Sequence, residues 1–332
     1  MSAINAFSEN EFLIEAISAT AKAAASASNY VGKGDKNFAD GLAVEQMRKS
    51  LGKINSSGLV VIGEGEADEA PMLFFGEKLG KSSGTTKQGQ HVFEVAVDPL
   101  DGTSLCAKNQ EGAVAVLALA PNGCVLHAPD IYMNKIAVGG KNLPKDLISL
   151  NASVKENITN IAKAKQKSID ELSFVVLERP RHAELVAKIR ETGAKVKLLP
   201  DGDVMGILSI CNPFCVADGY FGIGGAPEGV ITAAMLKSVG GIIHGALIYE
   251  SEAEKSRAKE MLAKSGITDI NKEMTQDEMI KGSQCVFSST AVTASSLLDG
   301  VKKIGNNTYL TSTIAGSMSL GYLFVKQEVT ID

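Results

Sequence analysis

The 332-residue sequence has no stretch long enough to cross a bilayer: its longest fully apolar run, residues 113–120 (AVAVLALA), falls far short of the roughly 20 residues a spanning helix needs. Its start carries no basic segment followed by an apolar one, so a soluble, unexported, cytoplasmic protein with no membrane partner is expected. There is no basic excess either. Lys and Arg number 33 against 38 Asp and Glu, a net charge of −5, which argues against nucleic acid as a partner. Cysteines are few and unpatterned: Cys106, Cys124, Cys211, Cys215 and Cys285 are an odd number without C-x-x-C spacing and read as reduced, packed thiols. The histidines His91, His127, His182 and His244 lie far apart, with no H-x-E or H-E-x-x-H pattern for zinc. No G-x-S-x-G elbow is present, and no internal repeat of roughly 20 to 50 residues or low-complexity linker divides the chain.

What is present supplies a core: 45% of residues are apolar, enough for one large domain or two fused layers. Helical and strand-like segments alternate throughout. Ser8 and Glu11 have the S-x-x-E form of a capping box ahead of an Ala-rich helix that runs to about Tyr30, with Gly32 and Gly34 as its stop. A second helical pattern begins at Asp40. Residues 59–63 (LVVIG), 91–97 (HVFEVAV) and 113–120 read as strands by length and β-branched content; DEAPMLFFGEKLG, between the first two, reads as a helix. The second half keeps the rhythm with FVVLE, a helix from Pro180 to about Glu191, VKLLP, a helix after Asp203, and VADGYFGIGG feeding a helix from Pro227. This predicts mixed α/β layering, any subdomain division falling near residues 142–151.

Acidic residues recur at the ends of the predicted strands: Glu64 in IGEGEADEAP, Asp98 and Asp101 in DPLDGT, Asp201 and Asp203 in LLPDGDV, and Glu228 in GIGGAPEG. Ligands of layered α/β proteins bind where strand ends and the following loops converge. Oxygen-rich clusters suit Mg²⁺ or Mn²⁺, which in turn attract phosphate. Plainer readings stand beside this one. GEGEADEA can be an acidic first helical turn complementing a dipole, which suits Asp68 and Glu69 best. DPLDGT can be an ordinary turn, since Asp, Pro and Gly favour turns, yet a turn requires neither carboxylates at both corners nor a following Thr. GIGGAPEG is not a dinucleotide fingerprint, because Pro227 stands where that motif has Gly or Ala. Its Gly224, Gly225 and Pro227 suit either a helix-start turn or a loop offering backbone N–H groups to an anion.

Together these segments amount to a resemblance. DPLDGT is similar to the D-P-[IL]-D-G-[TS] signature of the lithium-sensitive, metal-dependent phosphatase superfamily. GKGDKNFADG, VIGEGEADEAPMLFFGEKLG, APDIYM, RPRH, PDGDV and GIGGAPEGV, in that order over nearly the whole chain, resemble the class II fructose-1,6-bisphosphatases of the GlpX type. The resemblance implies a layered α/β/α/β/α sandwich of the sugar phosphatase type, dependence on Mn²⁺ or Mg²⁺, and a homo-oligomer, dimer or tetramer. The implied reaction removes the 1-phosphate of a small-molecule sugar bisphosphate, fructose 1,6-bisphosphate, giving fructose 6-phosphate and phosphate in gluconeogenesis. A metal-binding and catalytic α/β subdomain would span residues 1–145 and a substrate-binding one residues 146–332, in one compact unit. By position, the metal ligands would be Asp40, Glu64, Asp98, Asp101 and Glu228. Substrate would be held by Asp101, Gly102, Thr103, Tyr132, Arg179, Pro180, Arg181, Asp201, Gly202, Asp203 and Gly225. Thr103, Asp68 and Lys36 fall on positions of catalytic interest. Asp40 would otherwise read as a helix cap. Arg179 stands where some relatives carry Lys, exchanging a point charge for a planar fork.

Phosphate ester hydrolysis gives the pattern its sense. The nonbridging and leaving oxygens must be neutralised and a nucleophile held in line, which positioned divalent ions do together. Asp98 and Asp101 would hold metal beside the phosphorus. Thr103, at a helix start, would either orient and help deprotonate a water or attack the phosphorus itself. Arg179 and Arg181 would bind the uncleaved phosphate, while Asp201 and Asp203 accept hydrogen bonds from sugar hydroxyls. The near alternatives are dual activity on sedoheptulose 1,7-bisphosphate and action on inositol phosphate, the latter disfavoured by RPRH and PDGDV. A metal-dependent sugar-phosphate sensor without catalysis would keep the acids and have no use for Thr103.

Overall fold

In the computed structural model, which describes residues 6–65, 72–84, 91–211 and 217–331, the chain begins with α1 (Glu9–Ser28) and α2 (Lys36–Gly52). There follow β1 (Gly58–Ile62), β2 (Lys78–Leu79), β3 (Phe93–Asp101), α3 (Thr103–Ala107), β4 (Val114–Pro121) and β5 (Tyr132–Gly139). Next come α4 (Val154–Lys165), β6 (Ser173–Leu177), α5 (Ala183–Glu191), β7 (Lys195–Leu199), α6 (Asp203–Cys211), β8 (Gly219–Gly225), α7 (Ala226–Val239) and β9 (Gly241–Leu247). The chain closes with α8 (Glu252–Lys264), β10 (Met274–Thr275), α9 (Gln276–Met279), β11 (Val286–Ala291), β12 (Lys302–Lys303), β13 (Thr308–Ser317) and β14 (Gly321–Thr330). No described helix is long and apolar enough to cross a membrane.

The strands form two sheets. One runs β12-β13-β11-β4-β3-β1-β2, with β14 paired to β13; the other runs β10-β9-β5-β8-β6-β7. The boundary expected at 145/146 falls between β5 and α4, while the first sheet draws strands from both sides of it.

β4 shows why the layers stack as they do. Its unbroken apolar run has no polar face to give to water, so both faces must be covered. Ala115, Leu117 and Leu119 pack with Phe12, Ala16, Ala43 and Met47 of α1 and α2. Val114, Val116 and Ala118 point the other way, into a core with Val204 and Ile207 of α6 and Val230 and Ala234 of α7. That middle core also receives Met133, Ala137 and Tyr220 from the second sheet. The second sheet's outer face, Ile136, Val138, Phe174 and Val176, is covered by Ile158 and Ile161 of α4 and Ile189 of α5. The result is the expected α/β/α/β/α order.

Two local expectations are corrected. Ser8 stands at the N-cap of α1, but its side chain makes no cap hydrogen bond. The helix start is tied down instead by Glu9, buried, whose carboxylate accepts N–H bonds from Cys285, Met318 and Ser319. The helix expected over DEAPMLFFGEKLG is absent from its described part, residues 72–80. There the chain turns back on the edge of the first sheet, with Gly76 N–H donating to Val60 O (2.8 Å), Val60 N–H to Glu77 O (2.9 Å), and Leu79 opposite Gly58. Pairing with an exposed strand edge satisfies the same backbone groups a helix would have used, and here it wins over local helical propensity.

Candidate active site

The DPLDGT segment ends β3 with a break in register. Asp98 pairs with Val116 and Asp101 with Val114, so three steps on β3 oppose two on β4. In a regular strand, residues three apart face opposite ways; a bulge residue restores the face. Asp98 and Asp101 thus enter the same cleft on the middle-layer side. The Leu100 N–H donates to Asp98 Oδ1 at 3.1 Å, closing the turn. Gly102, with φ +81° and ψ +41°, makes the left-handed step that an L side chain resists, and Thr103 opens α3.

Other elements bring further acids to the same place. Glu64 follows β1 on a loop held by its own N–H on Leu73 O (2.9 Å) and by Phe75 N–H on Gly65 O (3.1 Å). Asp40 stands in the second turn of α2; the helix cap is Asp35, whose side chain accepts from Phe38 N–H. The loop ahead of α2 is moored to the end of α3 by Gly32 and Gly34 N–H groups on Cys106 and Ala107 carbonyls. Glu228 is the third residue of α7. Asp40, Glu64, Asp98, Asp101, Gly102, Thr103, Asp130, Asp201 and Glu228 line one cleft of about 480 Å³. All five expected metal acids therefore meet beside Thr103. Lys36, one turn before Asp40, is exposed and lies off the cleft wall. Asp68 lies outside the described residues. Asp130, in APDIYM just ahead of β5, was missed in sequence; an acid two residues before Tyr132 was the available signal.

The electrostatics of the cleft are those of buried, crowded acids. Burial pushes the Asp40 carboxyl up to about 6. Burial, then the charges of Asp40, Glu228 and Asp130, push Glu64 up to about 8. Asp98 and Asp101 are held well above the usual carboxylate range by burial and by their acidic neighbours, although Val204 N–H donates to Asp101 and works the other way. Glu228 is raised by burial and Asp203 against the pull of Lys135. Asp101 Oδ2 and Glu228 Oε2 are buried with no hydrogen-bond partner among the described residues. Such a donor set fits hard divalent cations. Among the described residues no three acids already converge on one ion; Mg²⁺ ordinarily takes only one or two carboxylates and completes its shell with water and substrate phosphate.

The second-sheet side of the cleft is built differently. Tyr132 opens β5 opposite Gly225 at the end of β8. The Arg181 guanidinium lies 4.7 Å from the Tyr132 ring centre and donates to Ile223 O at 2.9 Å. Pro180 starts a 3₁₀ turn, Pro180–His182, whose His182 is locked between Leu177 O and the Ile223 N–H. Arg179 donates to Pro200 O and, at 2.6 Å, to Asp201. Gly202, near Asp101, takes a left-handed step with φ +87°. Asp203 is buried, and both of its oxygens are already taken, by Lys135 and by the Tyr220 hydroxyl. These two bonds tie it into the wall of the cleft. The loop expected to offer N–H groups to an anion is packed closely by the chain's own carboxylates. A Cβ on Gly224 would fall 2.0 Å from Asp203 Oδ2, and one on Gly225 1.8 Å from Glu228 Oε2, so these glycines make room for the chain's own carboxylates. Lys135 and Tyr220 carried no sequence motif.

The sequence profile described as bacterial fructose-1,6-bisphosphatase, glpX-encoded, matches residues 10–328. The protein named fructose-1,6-bisphosphatase 1 class 2 from Escherichia coli (strain K12) is 39% identical over 309 residues, 89% of this chain and 88% of the relative. D-fructose 1,6-bisphosphatase class 2/sedoheptulose 1,7-bisphosphatase from Trichodesmium erythraeum (strain IMS101) is 37% identical over 332 residues, 96% of this chain and 95% of the relative. Among solved structures, an inositol monophosphatase from Anabaena (Nostoc) sp. PCC 7120 aligns over 64% of this chain and 74% of its own, with 17% identity and a TM-score of 0.34.

Proposed function

Because the chain belongs to the bacterial, glpX-encoded fructose-1,6-bisphosphatase family, we propose that the acidic cleft is where it hydrolyses the 1-phosphate of fructose 1,6-bisphosphate, with Mn²⁺ or Mg²⁺ bound among its carboxylates. The observation that carries this reading is the meeting of Asp40, Glu64, Asp98, Asp101 and Glu228 beside Thr103, with two buried carboxylate oxygens left without a partner among the described residues. Those five side chains would hold the cations. When bound, divalent ions neutralise the phosphoryl oxygens and the leaving oxygen.

The rest falls to the chain. Thr103, at the head of α3 on the wall it shares with Asp98 and Asp101, either orients the attacking water or supplies the attacking oxygen. Arg181, braced on Tyr132 and Ile223 O, keeps further N–H groups for the phosphate that is not cleaved, and Arg179 holds Asp201 toward the sugar. Support for Arg181 in that part is its exposure and its stacking on Tyr132, which shares an adjoining pocket with Asp130 of the cleft. The reading includes a homo-oligomer, dimer or tetramer, working in gluconeogenesis in the cytoplasm, which light scattering and cell fractionation would check.

Phosphate release from fructose 1,6-bisphosphate, with and without Mn²⁺, is the test. Metal-dependent release is expected; none at saturating metal and substrate would defeat the proposal. Running sedoheptulose 1,7-bisphosphate in parallel distinguishes single from dual activity, which is the activity named for the Trichodesmium relative.

A further inference from the structure

Lys135 is one of the largest side chains in the molecule with no exposure to solvent. It stands in β5, on the same face as Met133 and Ala137, and so enters the middle layer behind the acidic cleft. A lysine so placed needs full compensation, and its ammonium donates to Asp203 and to Gly225 O (2.7 Å), while Tyr220 donates its hydroxyl to the other Asp203 oxygen. Space has been made for it. A Cβ on Gly229 would lie 2.8 Å from Met133 Sδ and 3.0 Å from Lys135 Cδ, and glycine is otherwise a poor choice inside a helix such as α7.

The two groups that Lys135 grips each lead to a carboxylate of the cleft. Asp203 is the first residue of α6, and the next residue, Val204, donates its N–H to Asp101. Gly225 is the N-cap of α7, whose third residue is Glu228, and the Glu228 carboxylate folds back over Gly225. One ammonium thus ties the starts of two helices together, each start setting an acid of the cleft.

Resting on the function proposed above, we propose that Lys135 is a positioning residue of the phosphatase reaction: it fixes the distance between Asp101 and Glu228 across the cleft and so the arrangement of cation ligands around the phosphate. It touches neither substrate nor cation and acts through Asp203 and Gly225.

The test titrates the full-length protein with Mn²⁺ alone, reads the electron paramagnetic resonance line shape of the bound ion, which reports how its oxygen ligands are arranged, and adds steady-state kinetics on fructose 1,6-bisphosphate. Lys135→Met is expected to alter the line shape and to lower kcat by about tenfold or more, because small misplacements at a reacting centre are costly, with KM changing less. Gly229→Ala keeps every charge but crowds the Lys135 stem together with the Met133 sulfur; it should move both readouts in the same direction by less, and it decides the matter if Lys135→Met does not fold. In Lys135→Met/Asp203→Asn the uncompensated carboxylate is gone, so the melting temperature should recover while line shape and kcat do not. Recovery of all three would overturn the inference, because Lys135 would then only balance a charge. So would a parental line shape in Lys135→Met or, where that variant does not fold, in Gly229→Ala. A parent that binds no Mn²⁺ defeats the proposed function and the inference with it; a parent that binds Mn²⁺ and variants that match it defeat the inference alone.

Discussion

The two sides of the cleft are both acidic, yet they treat their acids in opposite ways. On the second-sheet side, Asp201 is paired with Arg179 and Asp203 with Lys135 and Tyr220. On the first-sheet side, among the described residues no cation is paired with Asp98, which feels Asp101, Glu64 and Asp40, or with Asp101, which feels Glu228, and burial with these like charges pushes their carboxyls up. Pairing turns an acid into a structural tie; leaving it unpaired stores repulsion that a divalent cation relieves. Glu228 sits between the two regimes, drawn down by Lys135 and pushed up by burial and Asp203. The difference separates acids that build the wall from acids that would bind the ion.

The strongest way to break this comparison is to neutralise one acid on each side. Asp98→Asn should reduce metal-dependent turnover by at least about a thousandfold, roughly 4 kcal/mol of transition-state stabilisation, without lowering the melting temperature of the metal-free protein, since repulsion is relieved. Near-parental turnover at saturating Mn²⁺ would remove Asp98 from the ion's ligands. Asp203→Asn should do the reverse in denaturant unfolding, costing about 3 kcal/mol because a buried ammonium loses its counter-charge; a parental unfolding midpoint would mean that the pair carries no structural weight.

Thr103 sharpens the first-sheet side. Thr103→Ala should lower kcat by about a hundredfold, roughly 2.7 kcal/mol, with KM little changed, while Thr103→Ser keeps part of the activity because it keeps the hydroxyl. If Thr103→Ala were active but merely less stable, its role would be to start α3. Arg181→Ala should raise KM about tenfold and leave kcat nearly intact, the signature of a contact equally strong before and during the reaction; a loss confined to kcat would move Arg181 to the reacting phosphate.

The smallest effect is one of pH. With its carboxyl raised from 4.5 to about 8, Glu64 holds its proton more tightly in the folded state than in the unfolded one. Its contribution to the metal-free protein is therefore most favourable below about 4.5, declines as pH rises through the window to about 8, and is flat above it. Glu64→Gln should flatten the melting temperature over that window relative to the parent. An unchanged slope would mean that Glu64 is not raised by burial and its acidic neighbours.

Much of this was legible in the chain itself. Alternation and apolar runs mark β1, β3, β4, β6 and β8, because burial on one or both faces leaves a period that depends only on backbone geometry. DPLDGT, the acids at strand ends and the ordered run of family segments marked the cleft. The turn over residues 72–80 was not legible, since its backbone is satisfied by the distant edge of β1 rather than by itself. Nor was the division of labour among the acids. Asp98 and Asp203 look alike in sequence, each beside a Pro or Gly at a strand end. Only the register break in β3, the burial of Lys135 in β5 and the clearances at Gly224, Gly225 and Gly229 decide which carboxylate is paired. The sequence by itself determined the layers and the chemical types that meet at the cleft, because hydrophobic periodicity and turn chemistry act over neighbouring residues. Tertiary structure alone decided which charges cancel, because a pair 68 residues apart forms only when two sheets and the helices between them have packed.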